Sequence, residues 1–355
     1  MRGMTRQGII PTAAQPFVSI VVPTLNEERY VYACLESLLG QWPEGRHEIL
    51  VMDGGSTDAT LRIVEAFRGL HPEVGLFHNP RRLQSAAVNL AAKVAAPQAT
   101  VLVRADAHAH YASDFVRSCV SALLRTGATS IVVPMRTQAQ PGAFLQQAIA
   151  AAQTSRLGNG GAAHRVGCVS GFVEHGHHAA FDRAFFLAIG GYDENFTHNE
   201  DAEMDVRAIR AGGSIWMCAE APVIYYPRDC LERLARQYFL HGGGRARTLR
   251  KHRLRPRARQ LMPVAILAGC ATGLAAAPFA PAQASFALVY PAFCLAWGVA
   301  QSVMRRDLRL VAGGLALMTM HVSWALGFLF GFARTWPEAV GSTQSTTLPA
   351  RGVRT

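Results

Sequence analysis

The sequence has little charge for its length. Only 17% of its 355 residues are Asp, Glu, Lys or Arg, and half are hydrophobic. A chain with this much apolar surface to bury is not disordered as a whole. A cysteine framework is also missing. The seven cysteines are dispersed, odd in number and without a Cys-x-x-Cys pair. This excludes a small disulfide scaffold, and the thiols are expected to be reduced and mostly buried. No apolar segment flanked by basic residues opens the chain, so no cleaved signal peptide is expected.

What charge there is has one sign and one place. The formal net charge is +11, which first suggests a nucleic-acid partner. Residues 1–227 carry 18 basic and 20 acidic side chains, whereas residues 228–260 carry 11 basic and 2 acidic. A nucleic-acid protein spreads basic residues over its folded domain, with interleaved aromatics. The slight acidity of 1–227 opposes that reading, and no nucleic acid is expected.

The basic segment borders an apolar one. Gln260 to Met304 is free of charged side chains, as is Leu310 to Ala333. A spanning helix needs about 20 apolar residues. Spans are expected at 261–279, 284–303 and 310–332, with Pro278 and Pro281 in the first turn. Arg305, Arg306 and Arg309 lie between the second and third spans. By the positive-inside rule, residues 1–260 and the 304–309 loop are cytoplasmic, and the C-terminus exits on the far side. The expected organisation is a mobile segment 1–15, a cytoplasmic catalytic domain 16–227 and a basic juxtamembrane segment 228–260. About three spans follow within 261–333, then a tail 334–355. The expected location is the inner (plasma) membrane, multi-pass.

The first 227 residues alternate strand and helix. Val18–Pro23, Glu48–Met52, Thr100–Val103 and Ile131–Pro134 have strand character. Glu27–Leu39, with Asn26 as its cap, and Ala59–Phe67 have helical spacing. Such alternation predicts an α/β fold, a mostly parallel sheet with helices on both faces. Ligands on these sheets bind at the carboxyl ends of strands.

Four polar motifs fall at such places. Pro23-Thr24-Leu25-Asn26-Glu27-Glu28 follows the first strand, where a carboxylate can also simply favour a helix dipole. Asp53-Gly54-Gly55-Ser56-Thr57-Asp58 follows the second. It is neither a Gly-x-Gly-x-x-Gly fingerprint nor a Walker A loop. Its Asp suits a base or ribose, and it also suits a plain turn. Arg104-Ala105-Asp106-Ala107-His108 follows the third. An oxygen and an imidazole two residues apart can share a divalent ion, though two ligands do not define a site. The fourth is Gly190-Gly191-Tyr192-Asp193-Glu194, followed by Asn199-Glu200-Asp201-Ala202-Glu203-Met204-Asp205. Its four carboxylates at 200–205 are costly to pack together without a purpose or wide solvent access. A carboxylate there suits a general base. His164, His175, His177 and His178 flank Gly171–Glu174 and suggest an acceptor-side loop more than a zinc site.

In this order the motifs resemble family 2 inverting nucleotide-sugar glycosyltransferases with the GT-A fold. The resemblance covers roughly residues 17–250. The phrases RADAHAHY, HNEDAEMDVR and QYFLHGGGRART are similar to the subgroup around the succinoglycan-pathway glucosyltransferases, membrane-bound enzymes that extend lipid-linked exopolysaccharide units. The resemblance implies a GT-A domain with a Rossmann-like mixed sheet, followed by transmembrane helices. It implies that Pro23, Glu27, Asp53, Arg104 and Asp106 contact the nucleotide-sugar. Asp106 and His108 would bind a divalent cation, Mg2+ or Mn2+. Asp201 would be the catalytic base, with Glu200 orienting it or the acceptor. The implied partners are a nucleotide-sugar donor, a lipid-linked saccharide acceptor and the membrane.

Two departures stand out. Arg104 replaces the first acid of the family's Asp-x-Asp element, so the metal has one carboxylate fewer. No Gln-x-x-Arg-Trp follows Gln237, which favours transfer of a single sugar over processive polymerisation. Arg245 and Arg247, after Gly242-Gly243-Gly244, either close on the leaving diphosphate or belong to a basic membrane-facing stretch. Two other readings are a polyprenyl-phosphate sugar transferase and a membrane-anchored nucleotide-binding relic without catalysis.

Overall fold

The computed structural model describes residues 15–42, 46–109, 111–160 and 169–334. The expected mobile segment up to residue 14, His164 and the tail beyond residue 334 lie outside the described residues.

Four parallel strands build the first half of the sheet. They are β1 (Phe17–Thr24), β2 (His47–Asp53), β3 (Val74–His78) and β4 (Ala99–Arg104). β1 is a near-continuous apolar run because both of its faces are covered, as in parallel sheets generally. Its period of two sends Ile20 and Val22 to one core and Val21 to the other. Helices α1 (Val31–Leu38), α2 (Thr60–Leu70) and α4 (Phe115–Thr126) cover the first face through Leu35, Val64 and Phe115. Helix α3 (Gln84–Val94) covers the second through Ala87, Val88 and Ala91.

The second half departs from pure parallel order. Strand β8 (His177–Asp182) inserts antiparallel between β4 and β5 (Ser130–Val133). β9 (Ile215–Met217) pairs parallel with β5, and β7 (Gly171–Val173) closes the edge antiparallel to β9. The resulting order is β3-β2-β1-β4-β8-β5-β9-β7. The sheet is therefore mixed. A short parallel pair, β6 (Met135–Thr137) with β10 (Val223–Tyr225), stands apart from it. The remaining domain helices are α5 (Phe144–Thr154), α6 (Arg156–Asn159), α7 (Arg183–Ala188) and α8 (Glu200–Arg210).

The first helix begins later than the sequence predicts. Asn26 adopts a left-handed φ of 58° and does not cap α1. Its side-chain oxygen accepts instead from the Thr57 N–H at 2.8 Å, and its own N–H donates to the Ser56 hydroxyl at 2.9 Å. The segment after β1 is thus stitched to the loop after β2 before α1 starts at Val31.

The basic segment holds a 21-residue helix, α9 (Leu231–Lys251). Three apolar helices follow: α10 (Ala258–Ala276), α11 (Pro281–Arg305) and α12 (Gly313–Ala333), the last entered by a 3-10 turn at Leu308–Ala312. Each is long and apolar enough to cross a membrane. α9 and α12 run side by side in the same direction. Leu234 packs with Ala316 and Met320 near one end, and Ala246 with Phe328 near the other. Glycine permits this approach. A Cβ on Gly242 would sit 2.1 Å from the Trp324 carbonyl oxygen, and one on Gly327 would meet the backbone of Phe239. The glycine run therefore lies inside a helix as a packing surface, not as a hinge.

α12 is fastened at both ends, to the catalytic domain at its start and to α9 at its finish. At its start, Gln147 of α5 donates to Asp307 at 3.1 Å. At its finish, the Arg250 guanidinium donates to the carbonyls of Phe332 and Arg334. The next residue, Lys251, pairs with Asp193 at 2.8 Å and with Glu203 at 2.6 Å.

Candidate active site

The carboxyl ends of β1, β2 and β4 lie together, because these strands are neighbours and parallel. Pro23 sits within β1 beside Met52 of β2. Asp53 ends β2 and is 3% exposed. Its Oδ2 accepts from the N–H groups of Gly55 at 2.7 Å and Ser56 at 2.9 Å. Its Oδ1 accepts from the hydroxyls of Ser56 at 2.5 Å and Thr24 at 3.2 Å. These four donors fix the glycine turn, so Asp53 shapes the loop that would face a nucleotide. Glu27 reaches across to His108 Nδ1 at 3.1 Å. That bond, ahead of burial, raises the His108 pKa above its ordinary value.

Arg104 is the hub. It ends β4, is 6% exposed and joins two carboxylates. Its Nε donates to Asp106 Oδ1 at 3.2 Å, and its Nη1 donates to Asp201 Oδ1 at 3.3 Å. Gln84, at the start of α3, also donates to Asp106 Oδ1. The Tyr192 hydroxyl donates to Asp201 Oδ1 at 2.7 Å. His177 of β8 stands between the free oxygens, 4.0 Å from Asp106 Oδ2 and 3.9 Å from Asp201 Oδ2. Burial opposes ionisation of Asp106, but Arg104 and His177 outweigh it and hold the carboxyl below its usual range. Burial, then Arg104, keeps the His177 ring below its ordinary pKa. One oxygen on each carboxylate is thus fixed and the other is open.

The acidic cluster of α8 separates by helical phase. Glu200 and Asp201 face a cavity of about 770 Å3. Glu203 and Asp205 turn away from it. Glu203 is fully buried and pairs with Arg207, Lys251 and His252. Asp205 accepts from His175 at 2.5 Å and His178 at 2.6 Å. Each inward carboxylate has its own hydrogen-bonded partners, which lowers the cost of packing four acids in six residues. Glu200 has no such partner. Burial first, and the Asp201 carboxylate second, raise its pKa to about 7. Two neighbouring acids with different environments form a dyad that shares its charge.

Arg104, Gln84, Glu200, Asp201 and Arg245 line the cavity together. Glu27, Asp53, Asp106 and His108 lie outside its lining, toward the strand ends. Arg245 and Arg247 part company along α9. Arg247 donates to the Asn195 carbonyl at 2.5 Å and covers the Phe196 ring at 4.4 Å. Arg245 faces the cavity.

Three contributors went unassigned in the sequence. Tyr192 stands in the glycine-rich motif, but its hydroxyl had no evident target. Gln84 had no signal beyond its place after a strand. His177 belonged to a histidine cluster, but only β8's insertion beside β4 brings it between Asp106 and Asp201.

For a metal, among the described residues no three or more His, Cys, Asp or Glu side chains stand together as a ready set. Asp106 Oδ2 accepts no hydrogen bond among the described residues, and the His177 ring stands 4.0 Å from it. One hard oxygen suits a divalent ion that takes its other oxygens from a diphosphate and water.

A mixed α/β sheet with acidic groups at its strand ends and a second acid pair across the crevice defines a GT-A type transferase domain. The profile of glycosyl transferase family 2 matches residues 19–190. The chain is 41% identical over 316 residues to succinoglycan biosynthesis protein ExoA of Rhizobium meliloti, covering 87% of this chain and 93% of that protein. It is 25% identical over 251 residues to a dolichyl N-acetyl-alpha-D-glucosaminyl phosphate 3-beta-D-2,3-diacetamido-2,3-dideoxy-beta-D-glucuronosyltransferase of Methanococcus voltae, covering 66% and 74%. Among solved structures, the mannosyltransferase PcManGT of Pyrobaculum calidifontis, in complex with GDP-Man and Mn2+, shares the fold. Its TM-score is 0.54 at 19% identity, covering 90% of this chain and 88% of that one. The chain belongs to glycosyl transferase family 2 and is a glycosyltransferase.

Proposed function

We propose that this enzyme moves one sugar from a nucleotide-sugar, a UDP-sugar, to a lipid-linked glycan in exopolysaccharide or cell-surface glycan synthesis, with inversion. The observation that carries this reading is the cavity. The acids Glu200 and Asp201 line it together with Met262, Pro263 and Ile266 of α10, Phe293 of α11 and Trp324 of α12. A site shared by catalytic acids and membrane-type helices suits an acceptor with a sugar at one end and a lipid at the other. The similarity to a protein of succinoglycan biosynthesis supports the pathway class. The Methanococcus voltae relative is named for a lipid-phosphate-linked sugar. The apolar helices α10 and α11 support a multi-pass anchor in the inner membrane, with the catalytic domain cytoplasmic.

Asp201 acts as general base through its open Oδ2, while Arg104 and Tyr192 hold Oδ1. The acceptor oxygen attacks the anomeric carbon as its proton passes to Asp201, and the bond to the nucleoside diphosphate breaks. Developing positive charge on the sugar suits the acidic crevice. Asp106, with His108 and the donor's diphosphate, would hold Mg2+ or Mn2+, which neutralises charge on the leaving group. Arg104 adds a fixed cation beside it. Glu27 and Asp53 shape the nucleotide side. The intact Glu200 and Asp201 constellation supports catalysis over a binding relic.

A donor screen tests this reading. Full-length enzyme in native membranes is offered UDP- and GDP-sugars with Mn2+ or with EDTA. Release of UDP from one donor, lost with EDTA, is expected. Release from no donor, with the protein folded and nucleotide bound, would sink the catalytic reading.

A further inference from the structure

α9 carries a run of cations, and most have a task in the fold. Arg233 pairs with Asp229 at 3.2 Å, Arg247 and Arg250 donate to backbone carbonyls, and Lys251 serves Asp193 and Glu203. Arg245 is different. It is half-buried, lines the cavity and has no carboxylate or carbonyl partner among the described residues. Burial first, and the nearby Arg259 second, push its pKa below the ordinary arginine value. Arg259 lines the same cavity from the start of α10. Its neighbour Arg257 is already spent on Glu174 at 2.6 Å. Glu200 and Asp201 line the same cavity and Asp205 lies near Arg245, yet none of them bonds it among the described residues, while Arg259 is exposed and reaches the Gly160 carbonyl at 3.5 Å. A half-buried guanidinium with no acid bonded to it is stabilised when an anion joins it.

The donor side reaches this cavity through Arg104, Gln84 and His177, which touch Asp106. Glu27, Asp53, Asp106 and His108 do not line this cavity, whereas Glu200, Asp201 and the apolar side chains Met262, Ile266 and Phe293 do. The charges that act on Arg245 are those of Arg259, Asp205 and Arg257, not those at the strand ends.

We propose that Arg245 and Arg259 form a subsite for the phosphate or diphosphate of the lipid-linked acceptor, whose hydrocarbon chain leaves between α10, α11 and α12. The assignment rests on the lipid-linked acceptor reading above and adds which residues grip its anion. Guanidinium forks match phosphate oxygens in pairs, which suits arginine over lysine at such a place. The acceptor sugar would then lie between the phosphate and the Glu200–Asp201 dyad.

The test is binding, so it does not depend on turnover. Full-length enzyme in detergent micelles is titrated with farnesyl diphosphate, farnesol, inorganic diphosphate and UDP. Wild type is expected to bind farnesyl diphosphate at least tenfold more tightly than farnesol or inorganic diphosphate. Arg245→Gln and Arg259→Gln should each weaken farnesyl diphosphate about tenfold and leave the UDP affinity within twofold, which also reports an intact fold. Arg245→Lys should recover part of the loss. The proposal is overturned if Arg245→Gln weakens UDP and spares farnesyl diphosphate, since Arg245 would then serve the donor. It is equally overturned if farnesol binds as tightly as its diphosphate, or if inorganic diphosphate binds as tightly and competes with UDP. Absence of sugar transfer to any lipid fraction, with this binding pattern intact, would count against the acceptor reading and not against the subsite.

Discussion

At the scale of single residues, the site depends on one arginine joining two acids. Arg104 fixes one oxygen on Asp106 and one on Asp201, leaving the second oxygen of each for chemistry. General-base catalysis contributes about 10²–10⁴-fold. Asp201→Asn is therefore expected to lower kcat by that factor and to leave the nucleotide Kd nearly unchanged, read by single-turnover rates and by titration of UDP. Glu200 supplies a pH test. Its pKa is raised to about 7 in the folded protein, so the folded state holds a proton that the unfolded chain releases earlier. The stability tied to that proton is present at low pH and is lost as pH rises through about 7. Glu200→Gln, always neutral, should raise Tm relative to wild type at pH 8.5 and not at pH 4. An equal Tm difference at both pH values would show that Glu200 is not held protonated by burial and Asp201. The place of these acids at strand ends and at the start of α8 was legible from the order of the motifs, and the roles proposed for them come from the family resemblance. Their partners were not legible, because Tyr192, Gln84 and His177 come from separate elements that only the sheet order assembles.

At the scale of elements, β1, β2 and β4 were plain in the sequence, since buried parallel strands are unbroken apolar runs, whereas the edge strand β3, largely half-buried beyond Val74, was not read. Nor was β8. Its sequence His177-His178-Ala179-Ala180-Phe181-Asp182 begins with two histidines, and its place between β4 and β5 follows from tertiary pairing. α9 was obscured by its charge. Its contact face is built on Leu234, Gly242, Ala246 and Leu249, whose spacing is helical but which hold only two large apolar side chains among many charged ones. Its packing has a consequence for topology. The sequence alone leads to three spans with the C-terminus on the far side. Yet Leu308–Ala333, at 1.5 Å per residue, is about 39 Å long; its start is bonded to Gln147 of the catalytic domain and its finish to Arg250 of α9, next to Lys251, which pairs with Asp193 and Glu203 of that domain. The hydrocarbon core is about 30 Å thick. Crossing it would carry Lys251, held by Asp193 and Glu203 of the catalytic domain, across the bilayer with the end of α12. The expected arrangement is an inserted α10–α11 hairpin, with α12 lying along the interface beside α9. A reporter fused to the C-terminus should then be on the same side as the catalytic domain. Its appearance on the opposite side would refute the arrangement. Gly327→Leu should part α9 from α12, because the Phe239 backbone occupies the Cβ position. A clear loss of Tm and of membrane-bound activity is expected, whereas an unchanged Tm would show that the close approach is not needed.

At the scale of the whole molecule, the charge imbalance of the chain takes on a positional meaning. The catalytic domain is slightly acidic, and the basic excess is gathered on α9 and the start of α10. There it does three things. It bonds the end of α12 to α9, it pairs with the inward Glu203 of α8, and it leaves Arg245 and Arg259 facing the cavity. The sheet brings the donor side, the acids bring the reaction, and the apolar helices bring a lipid to the same cavity. The measurement that tests this most directly follows label from a radioactive UDP-sugar into the organic phase of a lipid extract. Full-length wild type and Asp201→Asn are compared, with and without added lipid extract. The account predicts lipid-dependent UDP release with label in the lipid phase for wild type, and a loss of about 10²-fold or more for the variant. Lipid-independent release with no label in the lipid phase, or near-normal transfer by Asp201→Asn, would contradict it.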